Sequence, residues 1–235
     1  MPVRCLFHLH TRHSFDSLLS PRRILARARE MGVDVLCVTD HNTIQGSLDV
    51  KNLAAGAPPL VIPAAEYQSE KGDIIGLFLK EEIGSRCSTE ILREIHGQGG
   101  LAVLPHPFKG HKLDDELLAE VDLVETYNGR CSDDENERAK QLAERWNRPK
   151  LAGADAHCAL ELGAAMNVFL AEATKGESEF RETLLHAPRQ METRRAWGVC
   201  RPYSQMVKAA KTKNVRLFLY QAKRLASALA SGEGR

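Results

Sequence analysis

Short apolar runs alternate along this chain with longer stretches in which apolar residues recur every three or four positions. The short runs are typical of buried strands, and the longer stretches are typical of amphipathic helices. The predicted strands are residues 3–8, 35–39, 60–64, 73–79, 101–104, 123–126, 150–152 and 167–170. The predicted helices are residues 20–31, 43–55, 88–98, 114–120 and 133–147. Their alternation predicts an α/β fold whose sheet is largely parallel, either open or closed into a barrel.

The pattern changes after residue 187. Pro188 and Pro202 flank a basic, irregular stretch, and helical spacing of apolar positions then runs from Gln205 to about Ala230. We expect residues 1–187 to form one domain. Residues 188–235 are expected to form a basic, mainly helical C-terminal extension that packs on this domain or caps it.

Charge is concentrated in that extension. The whole chain has a net charge of +1, but residues 189–224 contain ten Lys or Arg and a single acid, Glu192. This stretch therefore carries +9 and the rest of the chain −8. Such a stretch can dock on an acidic body of the same chain, or it can attract a phosphate-rich ligand. Charge alone leaves both explanations open.

The composition excludes several classes of protein. With 235 residues, of which 43% are hydrophobic and 27% charged, the chain resembles a soluble globular protein. No apolar run reaches the roughly 18 residues of a membrane span. The first residues lead directly into a strand without the apolar region of a signal peptide, so we expect a cytoplasmic protein with no membrane partner. Six scattered cysteines without a C-x-x-C pair predict reduced thiols. The sequence does not indicate an oligomeric state.

Histidines and carboxylates follow the predicted strands at their carboxyl ends. His8 and His10 end the first strand one residue apart, so strand alternation directs both to the same face. The loops after strands meet at one face of an α/β barrel, and that face carries the function. We therefore expect the candidate side chains to converge. The full set is His8, His10, Asp16, His41, Glu66, His106, Asp155 and His157.

Five imidazoles and three carboxylates are more donors than one metal ion needs. A single ion takes about four to six ligands. The set therefore suits two or three divalent ions, with a carboxylate such as Glu66 shared between two of them. Imidazole and carboxylate donors without thiolate favour zinc, manganese or iron.

The motifs around these residues resemble those of the polymerase-and-histidinol-phosphatase (PHP) family of metal-dependent phosphoesterases. They are FHLHT at 7–11 with Ser14 and Asp16, VTDHN at 38–42, PAAE at 63–66, LPHPF at 104–108 and ADAH at 154–157. The resemblance extends from about residue 3 to residue 171. It implies an irregular seven-stranded (β/α) barrel, which is a distorted TIM barrel. It also implies a hydrolase that acts on phosphate esters.

The resemblance implies how the donors are shared among the ions. The expected sets, ion by ion, are His8, His10, Glu66 and Asp155; Glu66 and His106; and Asp16, His41 and His157. Many relatives with three ions carry a further histidine shortly after Glu66, where this chain offers Asp73. Asp73 is then either a weaker further ligand or an ordinary carboxylate at the start of a strand.

The implied reaction is attack of a metal-bound hydroxide on phosphorus. The residues expected to carry it are His8, His10, Asp16, Glu66, Asp155 and His157. Other candidates are cations that could hold substrate phosphate or could equally be solvated loop charges. They are His13, Lys109, His111 and Arg130. Asp40 and Glu125 are expected behind the ligands, where a carboxylate can orient an imidazole.

The expected partner is a small phosphorylated substrate, which is a phosphomonoester, a nucleotide or a short oligonucleotide. Two other functions use similar ligands: a metal-dependent amidohydrolase acting on a C–N bond, and a non-catalytic metal-binding regulatory module. Such amidohydrolases often carry a metal-bridging lysine after a mid-barrel strand, and the sequence has none in a matching position. A regulatory module would have lost ligands that this chain retains.

Overall fold

The computed structural model describes residues 2–172 and 176–231. Within these residues, ten strands and eight helices follow one another. In chain order they are β1 (Val3–Leu9), α1 (Pro21–Glu30), β2 (Val35–Val38), α2 (Gln45–Ala54), β3 (Leu60–Ile62), β4 (Ala64–Ser69), β5 (Gly72–Leu77), α3 (Ser88–Gly97), β6 (Leu101–Leu104), α4 (Asp115–Glu120), β7 (Leu123–Asn128), α5 (Asp133–Arg145), β8 (Lys150–Gly153), β9 (Ala165–Phe169), α6 (Glu177–His186), β10 (Arg189–Thr193), α7 (Cys200–Lys211) and α8 (Val215–Ala230). All five predicted helices are present, with ends within two residues of those expected. The α/β class is therefore confirmed.

Hydrogen bonding divides the strands into two five-stranded sheets, in the orders β10-β9-β1-β2-β3 and β4-β5-β6-β7-β8. Parallel pairs join β1, β2 and β3 in the first sheet and β6, β7 and β8 in the second. The other pairs are antiparallel. Two expectations are corrected here. The sheets are mixed rather than largely parallel, and the described strands do not close into one seven-stranded ring.

The two sheets nevertheless enclose one apolar interior. Alternate residues of β1, which are Val3, Cys5 and Phe7, pack there against side chains of the second sheet such as Ile75 and Val103. Helices α1 and α2 cover the outer face of the first sheet, and α3, α4 and α5 cover that of the second. The site described below lies where the strands of both sheets end.

The predicted strand at 60–64 is in fact two strands. Pro63 has no amide hydrogen to donate to a sheet, and the chain passes at this residue from β3 in the first sheet to β4 in the second. Glu66, which was expected after the end of a strand, consequently lies within β4 and pairs with Ile75 of β5. The break therefore brings a carboxylate of the second sheet to the end of the first.

Strand β1 contains a bulge at His8. Phe7 and Leu9 pair with successive residues of β2, so His8 is an extra residue, and its φ is +63°. Leu6 and Leu9, three positions apart, both pack in the outer core. Simple alternation would have placed His8 on the helix-covered face with Leu6. The bulge instead turns His8 toward the end of the interior.

Two elements were not predicted. They are helix α6, which precedes the basic stretch that begins at Pro188, and strand β10, which lies within that stretch. Among the described strands β10 pairs only with β9, and every one of its residues is at least partly exposed, so the sequence shows no apolar run there. In the described residues, no helix combines the length and the apolar character needed to cross a bilayer.

Candidate metal centre

All eight predicted donors meet in one cluster, with Glu66 at its centre. Carboxylate oxygens of Glu66 lie 3.4 Å from Nε2 of His8 and 3.5 Å from Nε2 of His10. They also lie 3.0 Å from Nδ1 of His41 and 3.2 Å from Nε2 of His106. Four imidazoles therefore surround one carboxylate that is 1% exposed.

The other two carboxylates extend the cluster. Oδ1 of Asp155 lies 3.7 Å from Nε2 of His8. Oδ2 of Asp16 lies 3.1 Å from Nε2 of His157, and its Oδ1 lies 3.6 Å from Nε2 of His41. The carboxylates thus stand between the imidazoles, so that several ring nitrogens and oxygens face the same small volume.

Several nitrogen and oxygen atoms of this cluster are buried without hydrogen-bond partners. Within the described chain these atoms include His8 Nε2, His10 Nε2, Asp16 Oδ1, His41 Nδ1, Glu66 Oε2 and His106 Nδ1. Such orphaned buried atoms are uncommon in native proteins and call for an explanation such as a bound ion. Three groups of donor atoms each lie within 4.8 Å of one another: His10 with His41 and His157, His8 with Glu66 and His106, and His8 with His10 and Asp155. Imidazole nitrogens and carboxylate oxygens in this arrangement fit divalent zinc, manganese or iron.

The charges of the cluster favour the metal-binding form of Glu66 and His10. Burial would raise the pKa of Glu66, but the imidazoles of His8 and His41 and the hydrogen bond of His106 hold it well below its ordinary value. Burial lowers the pKa of His10 to about 3, and neighbouring imidazoles add to this effect. At neutral pH Glu66 is therefore ionised and His10 is neutral, and these are the forms that bind a cation.

His8 and His41 shift in the opposite direction. Burial would lower the pKa of both, but nearby carboxylates outweigh it. Glu66 and Asp16 raise the pKa of His41 to about 10, and Glu125 and Glu66 raise the pKa of His8 well above its ordinary value. A cation bound among the same carboxylates competes with these protons, so we expect metal binding to release protons.

Three of the donors have a backbone conformation that is uncommon for residues with a side chain. The φ angles of His8, His106 and Asp155 are +63°, +28° and +49°. Each such conformation costs about 1–3 kcal/mol and persists only where the surrounding contacts determine it. The fold therefore holds these three side chains in place against a local preference, as is common in functional sites.

Glu125 contacts two of the candidate donors from behind. Its Oε1 lies 2.7 Å from Nδ1 of His8, and its Oε2 accepts the amide of His106 at 2.8 Å and the side-chain amide of Asn128 at 2.9 Å. The contact at Nδ1 leaves Nε2 of His8 directed at the cluster. Gly153 makes room for this arrangement, because a Cβ there would stand 1.6 Å from Glu125 Oε1 and 2.9 Å from His8 Cβ.

Asp40 orders the first loop of the site. Its carboxylate accepts the amide and the hydroxyl of Thr11, at 2.7 and 2.6 Å, and the amide and the hydroxyl of Ser14, at 3.2 and 2.5 Å. The Ser14 oxygen then lies 3.1 Å from Nδ1 of His10 and accepts the amide of His41 at 3.0 Å. Because Ser14 donates its proton to Asp40, Nδ1–H of His10 donates to Ser14 and Nε2 is left free.

A buried ion pair between Arg130 and Glu161 holds the loop that carries His157. Nε and Nη2 of Arg130 lie 2.6 and 2.9 Å from the two oxygens of Glu161, and Nη1 donates to Ser204 at 3.0 Å. Glu161 also accepts the amide of His157 at 2.8 Å. Arg130, a predicted phosphate contact, is thus engaged within the protein. No pattern in the sequence indicated Glu161, which is a single acid between two leucines in a loop.

Lys109 is the predicted phosphate contact that stands beside the cluster. Its Nζ lies 3.3 Å from Oδ2 of Asp155, and 32% of its side chain is exposed. Burial would lower the pKa of Lys109, but Asp155 raises it above its ordinary value, so the amine is protonated. His13 instead contacts Asp49 of α2, with 2.9 Å between Nε2 and Oδ2.

Asp73 and His111 border the cluster. Nε2 of His111 donates to the carbonyl of Asp73 at 2.8 Å, and its ring stands 5.5 Å from that of His106. Burial and the charge of Glu66 raise the pKa of Asp73 to about 6. In the described residues, no imidazole of the cluster lies within 4.0 Å of the Asp73 carboxylate. The structure therefore places Asp73 next to the donors without joining it to one of their groups.

Helix α7 fixes the loop that carries Asp16. Nζ of Lys211 donates to the carbonyl oxygens of Arg12, Ser14 and Ser17, at 2.8, 2.7 and 2.9 Å. These three carbonyls lie on both sides of Asp16 in the chain. An ammonium group has three protons to donate and here uses all of them, so the C-terminal extension positions the loop that carries the candidate donor Asp16.

We expect the Lys211→Met variant to lose about 1 kcal/mol of unfolding free energy, because its three hydrogen bonds are charged but partly solvated. We also expect metal affinity to fall several-fold, since Asp16 becomes less well positioned. Thermal unfolding and Mn²⁺ titration measure the two effects. Lys223→Met is the matched control, because Lys223 is exposed on α8. Equal metal affinity in both variants would contradict a positioning role for Lys211.

Comparisons with known proteins give this geometry a context. A family model described as PHP-associated matches residues 133–187. The uncharacterized protein MJ1587 of Methanocaldococcus jannaschii is 37% identical over 135 residues, which are 52% of this chain and 79% of that protein. The chain therefore belongs to the PHP family.

Solved structures of low sequence identity share the fold. A two-domain protein from Bacteroides vulgatus, which contains a predicted PHP-like metal-dependent phosphoesterase, gives a TM-score of 0.70 at 19% identity. The match covers 82% of this chain and 65% of that one, so the chain spans about two thirds of its length. An amidohydrolase from Chromobacterium violaceum, with bound sulfate and no metal, gives a TM-score of 0.60 at 16% identity over 79% of this chain and 97% of that one. These similarities establish the fold and leave the reaction open.

Proposed function

We propose that this chain is a metal-dependent phosphoesterase that hydrolyses a phosphomonoester or a nucleotide-type phosphoester with two or three divalent ions. The observation that carries the proposal is the cluster around Glu66, in which four imidazoles face one buried carboxylate. Buried donor atoms without partners support a site built for cations rather than for internal hydrogen bonds.

The ions we propose are manganese, iron or zinc, held by the eight donors of the cluster. When bound, such ions lower the pKa of water to about 7 and neutralise charge on phosphate oxygens. The ionised state of Glu66 and of Asp155, whose pKa is also held well below its ordinary value despite burial, supplies the negative charge that such ions need. Asp16, placed between His41 and His157, supplies the third carboxylate.

Lys109 is the residue we propose for binding the substrate phosphate. It is protonated, partly exposed and 3.3 Å from Asp155. Its ammonium group can therefore pair with a non-bridging phosphate oxygen that binds at the same edge of the cluster. The lysine ammonium acts here as a point charge. The ring of His13 and the guanidinium of Arg130 have other partners, so we assign neither of them to the phosphate.

The alternative function is that of an amidohydrolase, and it is supported by the similarity in fold to a protein of that class. The described residues place no lysine between the imidazoles, where a metal-bridging lysine would stand. Lys109 is paired with a carboxylate at the edge instead. This arrangement favours an ester of phosphate, which needs a cation at the edge, over an amide.

The test is elemental analysis of the purified protein, with hydrolysis assays on the same sample with and without added Mn²⁺. The substrates are an aryl phosphate, a panel of nucleotides and an N-acyl amino acid. We expect two or three equivalents of metal and metal-dependent phosphate release with no amide cleavage. Amide cleavage without phosphate release would establish the alternative, and full metal occupancy without either reaction would favour a binding module.

A further inference from the structure

The positive charge of the C-terminal extension is not neutralised within the protein. Helices α7 and α8 contain no acidic residue. Of the ten basic residues between 189 and 224, only Arg195 forms an ion pair with a carboxylate in the described chain, an exposed contact of 3.5 Å to Asp133. The one acid of this stretch, Glu192, pairs with Arg4. In the described residues only these two ion pairs join the extension to the body, so much of its positive charge remains available to a ligand.

A cleft gathers part of this charge. It encloses about 480 Å³ between the loop after β7, the segment before α7, and the two C-terminal helices. Arg195, Arg201 and Arg224 line it, and all three are exposed. Trp197, 37% exposed, lines it as well. The cleft thus offers guanidinium groups and one large aromatic face together.

The cleft borders the metal centre. Cys131 and Glu135 lie in its wall. Arg130 also lies in its wall, and its ion-pair partner Glu161 accepts the amide of His157, which is one of the eight donors. Lys109 also contacts a carboxylate of the cluster. The wall of the cleft is therefore linked through two contacts to a donor of the metal centre, and Lys109 stands at the edge of that centre.

The pattern of residues on α8 indicates the kind of ligand. Arg216, Tyr220 and Arg224 follow one another at helical spacing of four, and they share one stripe. Tyr220 is 60% exposed, and the guanidinium of Arg224 lies 6.0 Å from its ring. Within this stripe aromatic and basic residues alternate, and the exposed apolar residues of α8, which are Val215, Phe218, Leu219 and Leu229, lie outside it. Alternation of stacking faces and cations is typical of surfaces that bind single-stranded nucleic acid.

We propose that the cleft and the α8 stripe bind a single-stranded nucleic acid, with the arginines on its phosphates and Trp197 and Tyr220 on its bases. The end of the strand then passes Lys109 and places a terminal phosphate at the metal centre. This inference deepens the proposed function and rests on it only for the fate of that phosphate. Binding itself is measured separately.

The test is fluorescence anisotropy with the full chain, loaded with Mn²⁺, and an oligothymidylate of about 12 nucleotides labelled at an internal base. We expect Arg201→Glu with Arg224→Glu to weaken binding tenfold or more and to reduce the slope of log K against log salt by about 1–2. Trp197→Ala should weaken binding by about tenfold. The control is Arg23→Glu with Lys80→Glu, which makes the same change of charge on exposed residues elsewhere. It should retain most of the affinity for the oligonucleotide.

Four results would overturn the inference. They are wild-type affinity and salt dependence in the Arg201/Arg224 variant, no effect of Trp197→Ala, an equal loss in the control, and binding to vesicles with about 30% phosphatidylserine but not to the oligonucleotide. Circular dichroism shows whether each variant is folded, and Trp197→Ala keeps the test valid if the charge reversal unfolds α7. Oligonucleotide binding without phosphate release from any ester would uphold the cleft and overturn the proposed function. Phosphate release without oligonucleotide binding would do the reverse.

Discussion

Replacing Glu66 with glutamine is expected to reduce metal-dependent hydrolysis by about a thousand-fold or more. The change keeps the shape of the side chain but removes the one charge that four imidazoles share. Stabilisation of transition-state charge by metal ions amounts to several kcal/mol, and about 4 kcal/mol corresponds to a thousand-fold in rate. Elemental analysis of the variant should find at least one equivalent of metal less than in the wild type.

Thermal unfolding provides a second readout that does not depend on activity. Mn²⁺ at about a hundred times its dissociation constant stabilises a folded protein by about 2.7 kcal/mol. The wild type should show such a shift, and Glu66→Gln should show little of it. Glu81→Gln, at an exposed position, is the control and should behave as the wild type does. A Glu66→Gln protein with full metal content and wild-type rates would refute the central place of this carboxylate.

The convergence of the donors could be predicted because it depends on a local rule. A side chain at the carboxyl end of a strand lies at the edge of its sheet, whatever its neighbours are. His10, His41, His106 and Asp155 each follow a short apolar run, so their positions along the sequence were enough to place them. The rule does not depend on the number of strands or sheets. It therefore holds even though the strands form two sheets and not the predicted seven-stranded barrel.

Other features of the site depend on the backbone and were not predictable in the same way. Simple alternation places His8 and His10 on one face for the wrong reason, because a bulge at His8 turns its side chain into the site. Glu66 reaches the cluster from a second sheet, because Pro63 ends one strand and a new one begins. Positive φ values and changes of sheet are set by packing between elements, and the apolar pattern of the sequence does not indicate them.

The candidate phosphate contacts illustrate how distant partners decide the role of a charge. Arg130 follows a strand as the candidate metal donors do, but Glu161 and Ser204 occupy its guanidinium. Lys109 was a candidate of the same kind in the sequence, and it stands 3.3 Å from Asp155. Partners 31 and 74 positions away along the chain are found only when the chain is folded, so the type and spacing of a residue could not separate these two cases.

Replacing Gly153 with alanine is expected to damage the metal centre without touching a donor. The new Cβ would overlap Oε1 of Glu125, at 1.6 Å, and press on Cβ of His8, at 2.9 Å. Overpacking of this kind costs about 1–3 kcal/mol of unfolding free energy. Displacing a carboxylate that orients a ligand typically reduces metal affinity or activity by about 10–100-fold. Thermal unfolding and Mn²⁺ titration of activity measure the two losses.

Two further variants separate the loss of packing from the loss of orientation. At Gly84 a Cβ would meet nothing within 4 Å, so Gly84→Ala should retain wild-type stability and metal affinity. Glu125→Gln keeps the volume of its side chain but weakens the hydrogen bond to Nδ1 of His8, and it should reproduce the loss of metal affinity in Gly153→Ala with less loss of stability. If Gly153→Ala lost stability but kept its metal affinity, the contact between Glu125 and His8 would not control the centre. Because Glu125→Gln leaves the space around Cβ of His8 unchanged, a loss of metal affinity shared by Gly153→Ala and Glu125→Gln would show that the contact between Glu125 and His8 controls the orientation of His8.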